Sequence, residues 1–290
     1  MSARGARQWS GLFARGMAMG VAEVVPGVSG GTIAFITGIY HELVTTLAGF
    51  RPASARLLVT AGPVAFWQQH NLGFLAVLVA GMAASVLLFA RLIGYWLDVV
   101  PTLVWAFFFG LIAASVFQIG RGRPTRTLAV YGTIGLAAGA SLLLVDPLPA
   151  QGAVWVFFFA GMIAISAWLL PAISGSFILL ILGLYEPVIE ALNGFDWVVL
   201  TSLGLGCATG LMIFARALEW LLSYWREPLL SLLTGFMAGS LVRLWPWAQG
   251  GTLLTPAEYA AVTGQASLEL WAVAAAAAGA LALWLLSRLE

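Results

Sequence analysis

Pro26-Gly27-Val28-Ser29-Gly30-Gly31-Thr32 lies inside a hydrophobic run, yet it is made of residues that end helices or start them. Pro26 pushes Val25 out of helical geometry and ends one half-helix. Ser29 is placed to N-cap a second half-helix through Ile33, Phe35, Ile36 and Leu43. Each half, between Leu12 and Phe50, is too short for a full crossing of about 20 residues, so the stretch is expected to form a re-entrant hairpin. The skeleton returns once, as Pro171-Ala172-Ile173-Ser174-Gly175-Ser176-Phe177, again in an apolar run. Interrupted helices in corresponding places point to a binding site near the membrane midplane.

The rest of the chain supports a membrane setting. Of 290 residues, 61% are hydrophobic and 9% charged, and the mean hydropathy is +0.98. No water-soluble surface can be built from that composition, so a polytopic all-α membrane protein is expected. Continuous spans are expected near residues 72–90, 102–119, 127–145, 197–215, 229–244 and 268–286, with a short interfacial helix in the connector 51–69. The single cysteine, Cys207, excludes an internal disulfide. No Cys/His cluster offers metal ligands, and no cofactor is expected. The N-terminus lacks the pattern of a removable signal peptide.

Internal repetition organises these segments. Pro26 and Pro171 are 145 residues apart (171 − 26 = 145), and the same offset pairs Ser29 with Ser174, Gly30 with Gly175, Gly38 with Gly183 and Tyr40 with Tyr185. Beyond the connector the offset is 125 (214 − 89 = 125), pairing Phe89-Ala90-Arg91 with Phe214-Ala215-Arg216. The expected unit is therefore one broken hairpin plus three transmembrane helices, present twice, at about 12–145 and 153–290 within a single membrane domain. Three crossings per unit turn the second copy over, giving inverted repeats. All 13 basic residues are arginine. With both termini in the cytoplasm, Arg91 and Arg243 alone fall outside, as the positive-inside rule requires. Arg121, Arg123 and Arg126 are read as topology determinants, and the tryptophans, among them Trp96, Trp155, Trp197, Trp245 and Trp247, as an aromatic belt.

Backbone N–H groups of Gly30, Gly31 and Thr32 at the start of a half-helix suit an anion; the competing explanation is that small residues merely allow close helix packing. Ser29 and the second copy's Ser174, Gly175 and Ser176 complete the candidate set. Arg91 and Arg216, at span ends, can hold a phosphate bidentately or reach the interface. Glu23 is the one acid in the first half-helix. An acid at membrane depth is costly, so it is expected to pair with an arginine or to carry a proton. Its repeat counterpart is Trp168, so this role is not duplicated. Gly27-Val28-Ser29-Gly30 also matches the nucleophile motif of rhomboid intramembrane proteases. A serine nucleophile needs a base, and His41 and His70 lie at segment edges, so no catalytic residue is assigned and the protein is not expected to be an enzyme.

Gly20-Val21-Ala22-Glu23-Val24-Val25-Pro26-Gly27-Val28-Ser29-Gly30-Gly31-Thr32 with Gly38-Ile39-Tyr40, and Pro171 to Ser176 with Gly183-Leu184-Tyr185-Glu186, resemble bacterial polyprenyl-phosphate transporters of the PopT type. The resemblance covers nearly the whole chain in segment order. It implies a flippase of the bacterial cytoplasmic (inner) membrane that returns undecaprenyl phosphate, the lipid carrier of cell-envelope and peptidoglycan sugars, to the inner leaflet for recycling. The expected partners are that lipid, the bilayer, and a proton or other cation as co-substrate, with no nucleic acid. A secondary transporter of a small soluble anion would need the same helix N-termini and arginines, and a non-transporting lipid-binding protein is a third possibility.

Overall fold

The computed structural model describes residues 4–24, 28–51, 54–141, 153–171, 173–249 and 252–286, without the side chains of 55–58. Pro26, Gly27, Ala172, the Asp146–Pro149 break and Arg288 lie outside the described residues. Nearly everything described is helical, with one two-stranded β ladder, Ala248–Gln249 paired with Thr252–Leu253. The chain divides into two compact units, Met1–Ser85 with Val145–Arg226, and Val86–Leu144 with Glu227–Glu290.

The first unit holds both hairpins. Helix α1 (Ala6–Val24) leads to the seven-residue α2 (Gly30–Ile36) and then α3 (Tyr40–Ala48). The second hairpin repeats the order with α9 (Val154–Leu169), α10 (Gly175–Ile181) and α11 (Tyr185–Gly194). The continuous second half-helix expected from the sequence is thus broken in both copies. Gly38 and Gly183 cause the break, at φ 79° and 68°, a left-handed backbone that a side chain would strain. The second break bends the chain by 109°. A seven-residue helix rises only about 10 Å, a third of the bilayer core.

Long helices flank the hairpins. Helix α5 (Leu72–Val99) begins in the first unit and continues into the second, while α12 (Trp197–Tyr224) belongs to the first. Each has 28 residues, longer than expected, so Arg91 and Arg216 are not at span ends. Both are the twentieth residue of their helix (91 − 72 + 1 and 216 − 197 + 1). The connector carries α4 (Ser54–Gln69), bent at Gly62-Pro63.

Glycine lets α1 lie against α5, and α9 against α12, at backbone distance. A Cβ at Gly16 would sit 2.4 Å from the Leu78 carbonyl oxygen, and one at Gly161 2.4 Å from that of Leu203. These are matching contacts, because 161 − 16 = 145 and 203 − 78 = 125. Successive contacts rise together along both partners (Val154 with Ser202, Phe158 with Gly206, Met162 with Gly210), so α9 and α12 run parallel. Since α1 and α5 also rise together, through Trp9 with Gly73, Gly16 with Leu78 and Gly20 with Met82, the chain must return between them. The short α2 carries much of that return, and the Arg4–Glu42 ion pair, braced by Asn71 Nδ2 at 2.8 Å from Glu42, closes the hairpin at its base.

In the second unit α6 (Pro101–Gly120) packs on α15 (Glu269–Leu286). A short helical turn α7 (Thr125–Thr127) and a π-helical turn (Leu128–Gly132) open α8 (Thr133–Ser141), which packs on α13 (Arg226–Ser240). The two pairings match again. A Cβ at Gly279 would meet the Phe107 carbonyl oxygen at 2.0 Å, and one at Gly135 that of Leu232 at 2.0 Å. Phe107 and Leu232 differ by 125, whereas Gly135 and Gly279 differ by 144, an offset not evident in the sequence. A 3-10 turn (Leu241–Leu244), the β ladder and α14 (Pro256–Thr263) follow α13. Trp247 and Tyr259 pack there on Ala106 and Ala272, while the Trp245 and Trp247 indoles donate to Leu254 O and Ser267 O. These two tryptophans are packing residues, a correction to their assignment to the belt. Thr255 and Glu258 form a reciprocal capping box on α14. The Thr255 backbone N–H, then its hydroxyl, holds the Glu258 carboxyl below the ordinary carboxylate range.

Candidate functional site

The two hairpins meet through Glu23. At the C-terminal end of α1, its Oε1 accepts from the Gly30 backbone N–H at 2.6 Å and from the Trp168 indole N–H at 2.7 Å. Of the two roles expected of Glu23, pairing with an arginine is not found among the described residues, and the side chain instead caps α2 and bridges to α9. Trp168 went unnoticed as a site residue. It stands 145 residues from Glu23 (168 − 23 = 145), so the bond joins two equivalent positions of the repeat. A carboxylate on a helix N-terminal N–H is favoured by the aligned peptide dipoles.

The remaining donors of α2's first turn are also used. Ser29 adopts extended geometry (φ −122°, ψ 138°), and its Oγ accepts from Gly31 N–H at 3.1 Å. Thr32 N–H donates to Ser29 O at 2.9 Å. The Ser29 hydroxyl lies 3.4 Å from Trp168 O, as its donor, and a Cβ on Gly31 would stand 2.5 Å from that same carbonyl oxygen. All seven residues of α2 are buried. Gly30, Gly31 and Thr32 thus present their N–H groups as the sequence suggests, but to the protein's own acceptors.

The second tip differs. Ser174, though buried and extended at the N-cap, makes no side-chain cap. Its hydroxyl lies 2.7 Å from that of Ser176. No residue of α10 is buried. Glycine is required where Trp168 O presses on Gly31, whereas the equivalent position of the second copy has room for a serine, Ser176.

The arginines separate likewise. Arg216 Nη2 donates to Phe50 O at 2.9 Å, so it satisfies the carbonyl end of the first hairpin. Phe50 stacks on the buried His70 at 5.0 Å. Arg91 is exposed and belongs to the second unit. Neither histidine meets Ser29: His41 is exposed, and the described partners of Ser29 are backbone groups. No group of three or more His, Cys, Asp or Glu able to hold a metal is present among the described residues.

Four described helices are long and apolar enough to cross a membrane, or five counting α10 with α11. A multi-pass helical protein in which helices flanking two repeated interruptions meet, here α1, α2 and α9 at Glu23, has an arrangement that suits a membrane carrier. Sequence comparison leads to the same class. The chain belongs to the undecaprenyl phosphate translocase-like family, whose model matches residues 19–260. It is 40% identical over 241 residues to a polyprenyl-phosphate transporter of Vibrio cholerae serotype O1, covering 82% of this chain and 78% of that one. It is 32% identical over 263 residues to a polyprenyl-phosphate transporter of Staphylococcus aureus, covering 82% and 87%. No solved structure matches. The family is one of transporters, not of enzymes.

Proposed function

We propose that this protein carries a polyprenyl phosphate, undecaprenyl phosphate in the bacterial cell, across the cytoplasmic membrane to the inner leaflet for reuse. Both termini face the cytoplasm in this reading. The phosphate visits the two hairpin tips in turn, Ser29 to Thr32 and Ser174 to Ser176, while the prenyl tail stays in lipid. The relatives' names support the substrate class. The matched contacts of α1 with α5 and α9 with α12 support two structural copies, and the arginine bias supports their inversion.

The observation that carries the reading is the Glu23 carboxylate on Gly30 N–H. The first tip already holds an oxyanion, its own, so the turn has the chemistry for a phosphate and must give up Glu23 to bind one. The second tip, without a carboxylate cap, is the open one in this state. Moving each negative charge toward a negative interior costs about 2.3 kcal/mol per 100 mV, so a proton or another cation accompanies the lipid. Glu23, released from Gly30 when phosphate takes its place, is the residue assigned to carry the proton. Arg91 meets the headgroup at the membrane surface, and Arg216 keeps the first hairpin's end in place.

Purified protein in proteoliposomes, with polyprenyl phosphate translocation followed against pH, tests this. Wild type is expected to translocate with a clear pH dependence, and Glu23→Gln to lose that dependence along with most of its rate. Wild-type rate and pH profile in Glu23→Gln would remove Glu23 from the mechanism. Absence of flip by the wild type would remove transport itself.

A further inference from the structure

Arg15 stands apart from the other arginines. Five described arginines are partly buried: Arg4, Arg15, Arg123, Arg216 and Arg243. Arg4 pairs with Glu42, Arg123 with Glu227, and Arg216 with Phe50 O, and Arg243 also has a partner. Arg15 makes no ion pair or hydrogen bond among the described residues, and its Nε is buried without an acceptor. Its two terminal nitrogens are not covered in this way. The Nε end of the side chain is therefore enclosed by protein, and the guanidinium fork has no partner among the described residues.

Its place in the fold gives that fork a purpose. Arg15 is the tenth residue of α1 (15 − 6 + 1 = 10), about 13 Å along the helix from its start. Arg4 and Arg7, nearer the start, already serve as topological anchors. A guanidinium lying along lipid toward the interface would leave its Nε uncovered by protein, which is not what is found. Eight residues further along the same helix, about 12 Å up its axis, Glu23 occupies the first tip. Of the two arginines on that helix, Arg7 is exposed near its start, and Arg15 is the partly buried one without an acidic partner among the described residues. A partly buried charge with no acidic partner is costly, and one retained on the helix that leads to the tip is expected to meet a counter-ion that comes and goes. A planar fork with free N–H groups matches the oxygens of a phosphate monoester.

We propose that Arg15 is a binding residue for the phosphate monoester headgroup, a second station on α1 between the hairpin base and the tip held by Glu23. The headgroup rests at Arg15 when Glu23 caps α2 and moves to the tip when Glu23 lets go. This rests on the transport reading above and adds a residue to it.

The test is equilibrium binding to the full-length protein in nanodiscs of zwitterionic lipid. The probes are farnesyl phosphate, farnesol and inorganic phosphate, with thermal unfolding measured on each variant. Arg15→Gln is expected to weaken farnesyl phosphate binding by about tenfold or more, leaving farnesol binding and the unfolding midpoint unchanged. Arg15→Lys, which keeps the charge but not the fork, should lose less. The exposed Arg7→Gln should match wild type. If Arg15→Gln binds farnesyl phosphate as wild type does, or loses farnesol and farnesyl phosphate alike with a lower unfolding midpoint, the proposal is overturned while transport stands. Competition by inorganic phosphate at concentrations equal to farnesyl phosphate would assign the station to a free anion instead of a lipid headgroup and overturn it as stated. A wild type that binds none of the three removes the transport reading first, before Arg15 comes into question.

Discussion

Helices α2 and α10 have seven residues each, follow the same Ser-Gly start and end at equivalent glycines, yet their surroundings are opposite. Every residue of α2 is buried and its first three N–H groups are bonded. No residue of α10 is buried and its N-cap serine turns to a neighbouring hydroxyl. Sequence symmetry thus coexists with structural asymmetry. The difference traces to two residues that the repeat does not duplicate, Glu23 and Trp168, which bond to each other. One tip is locked by an acid from its own hairpin and an indole from the other, and the second tip has no equivalent lock.

The largest effect on this contrast should come from Gly31→Ala. The added methyl would meet the Trp168 carbonyl oxygen at 2.5 Å, and overpacking of this kind costs about 1–3 kcal/mol. That exceeds the roughly 1 kcal/mol of helix propensity that alanine brings. A lower unfolding midpoint and reduced translocation are expected, whereas Ser176→Ala at the matching position should leave stability near wild type. Equal midpoints for the two variants would mean that the tips are not as different as they stand here.

Trp168→Phe comes next. It keeps most of the aromatic surface and deletes the N–H that reaches Glu23, while Gly30 N–H still holds the carboxylate. A loss at the low end for a bond to a charged group, about 1.5 kcal/mol, is therefore expected. Amide exchange at Gly30 should quicken as Glu23 loses its second anchor, with exchange at Gly175 unaffected. Smallest is the pair of cap deletions. Ser29→Ala removes the acceptor for Gly31 N–H and should cost about 1 kcal/mol. Ser174→Ala removes no cap and should cost less. A reversal of that order in thermal unfolding would show that the second serine, not the first, holds its helix.

Much of this architecture was legible in the sequence. Pro171 stands at a described break, and the offsets of 145 and 125 recur in the matched contacts of α1 with α5 and α9 with α12. Hydropathy locates the long helices at Leu72–Val99, Pro101–Gly120, Trp197–Tyr224 and Glu269–Leu286. The described parts of the stretches expected at 127–145 and 229–244, by contrast, are not among the helices long and apolar enough to cross. What escaped notice has physical causes. Gly38 and Gly183 are paired by the repeat but do not read as breaks, because a positive φ leaves no periodic trace. The ends of α5 and α12 were drawn early because Arg91 and Arg216 interrupt the apolar run while the helix continues beneath them. Trp168 reads only as the repeat counterpart of Glu23, since an indole donor acquires a role only when folding sets a carboxylate beside it. Arg15 counts only among the arginines left on the cytoplasmic side, and nothing in its neighbours in sequence shows that its Nε is enclosed.

The length of α5 and α12 has a consequence of its own. Twenty residues of helix rise about 30 Å, one hydrocarbon thickness. Leu72 and Arg91, like Trp197 and Arg216, are therefore separated by about one thickness of the oily layer, and the helix continues past each arginine. The eight residues beyond each arginine, carrying Tyr95 and Trp96 on one helix and Trp220 and Tyr224 on the other, add about 12 Å at headgroup depth. A protein dimensioned in this way is matched to a bilayer of one thickness. Acyl chains much longer or shorter than that spacing would be met by helix tilt or local thinning of the bilayer.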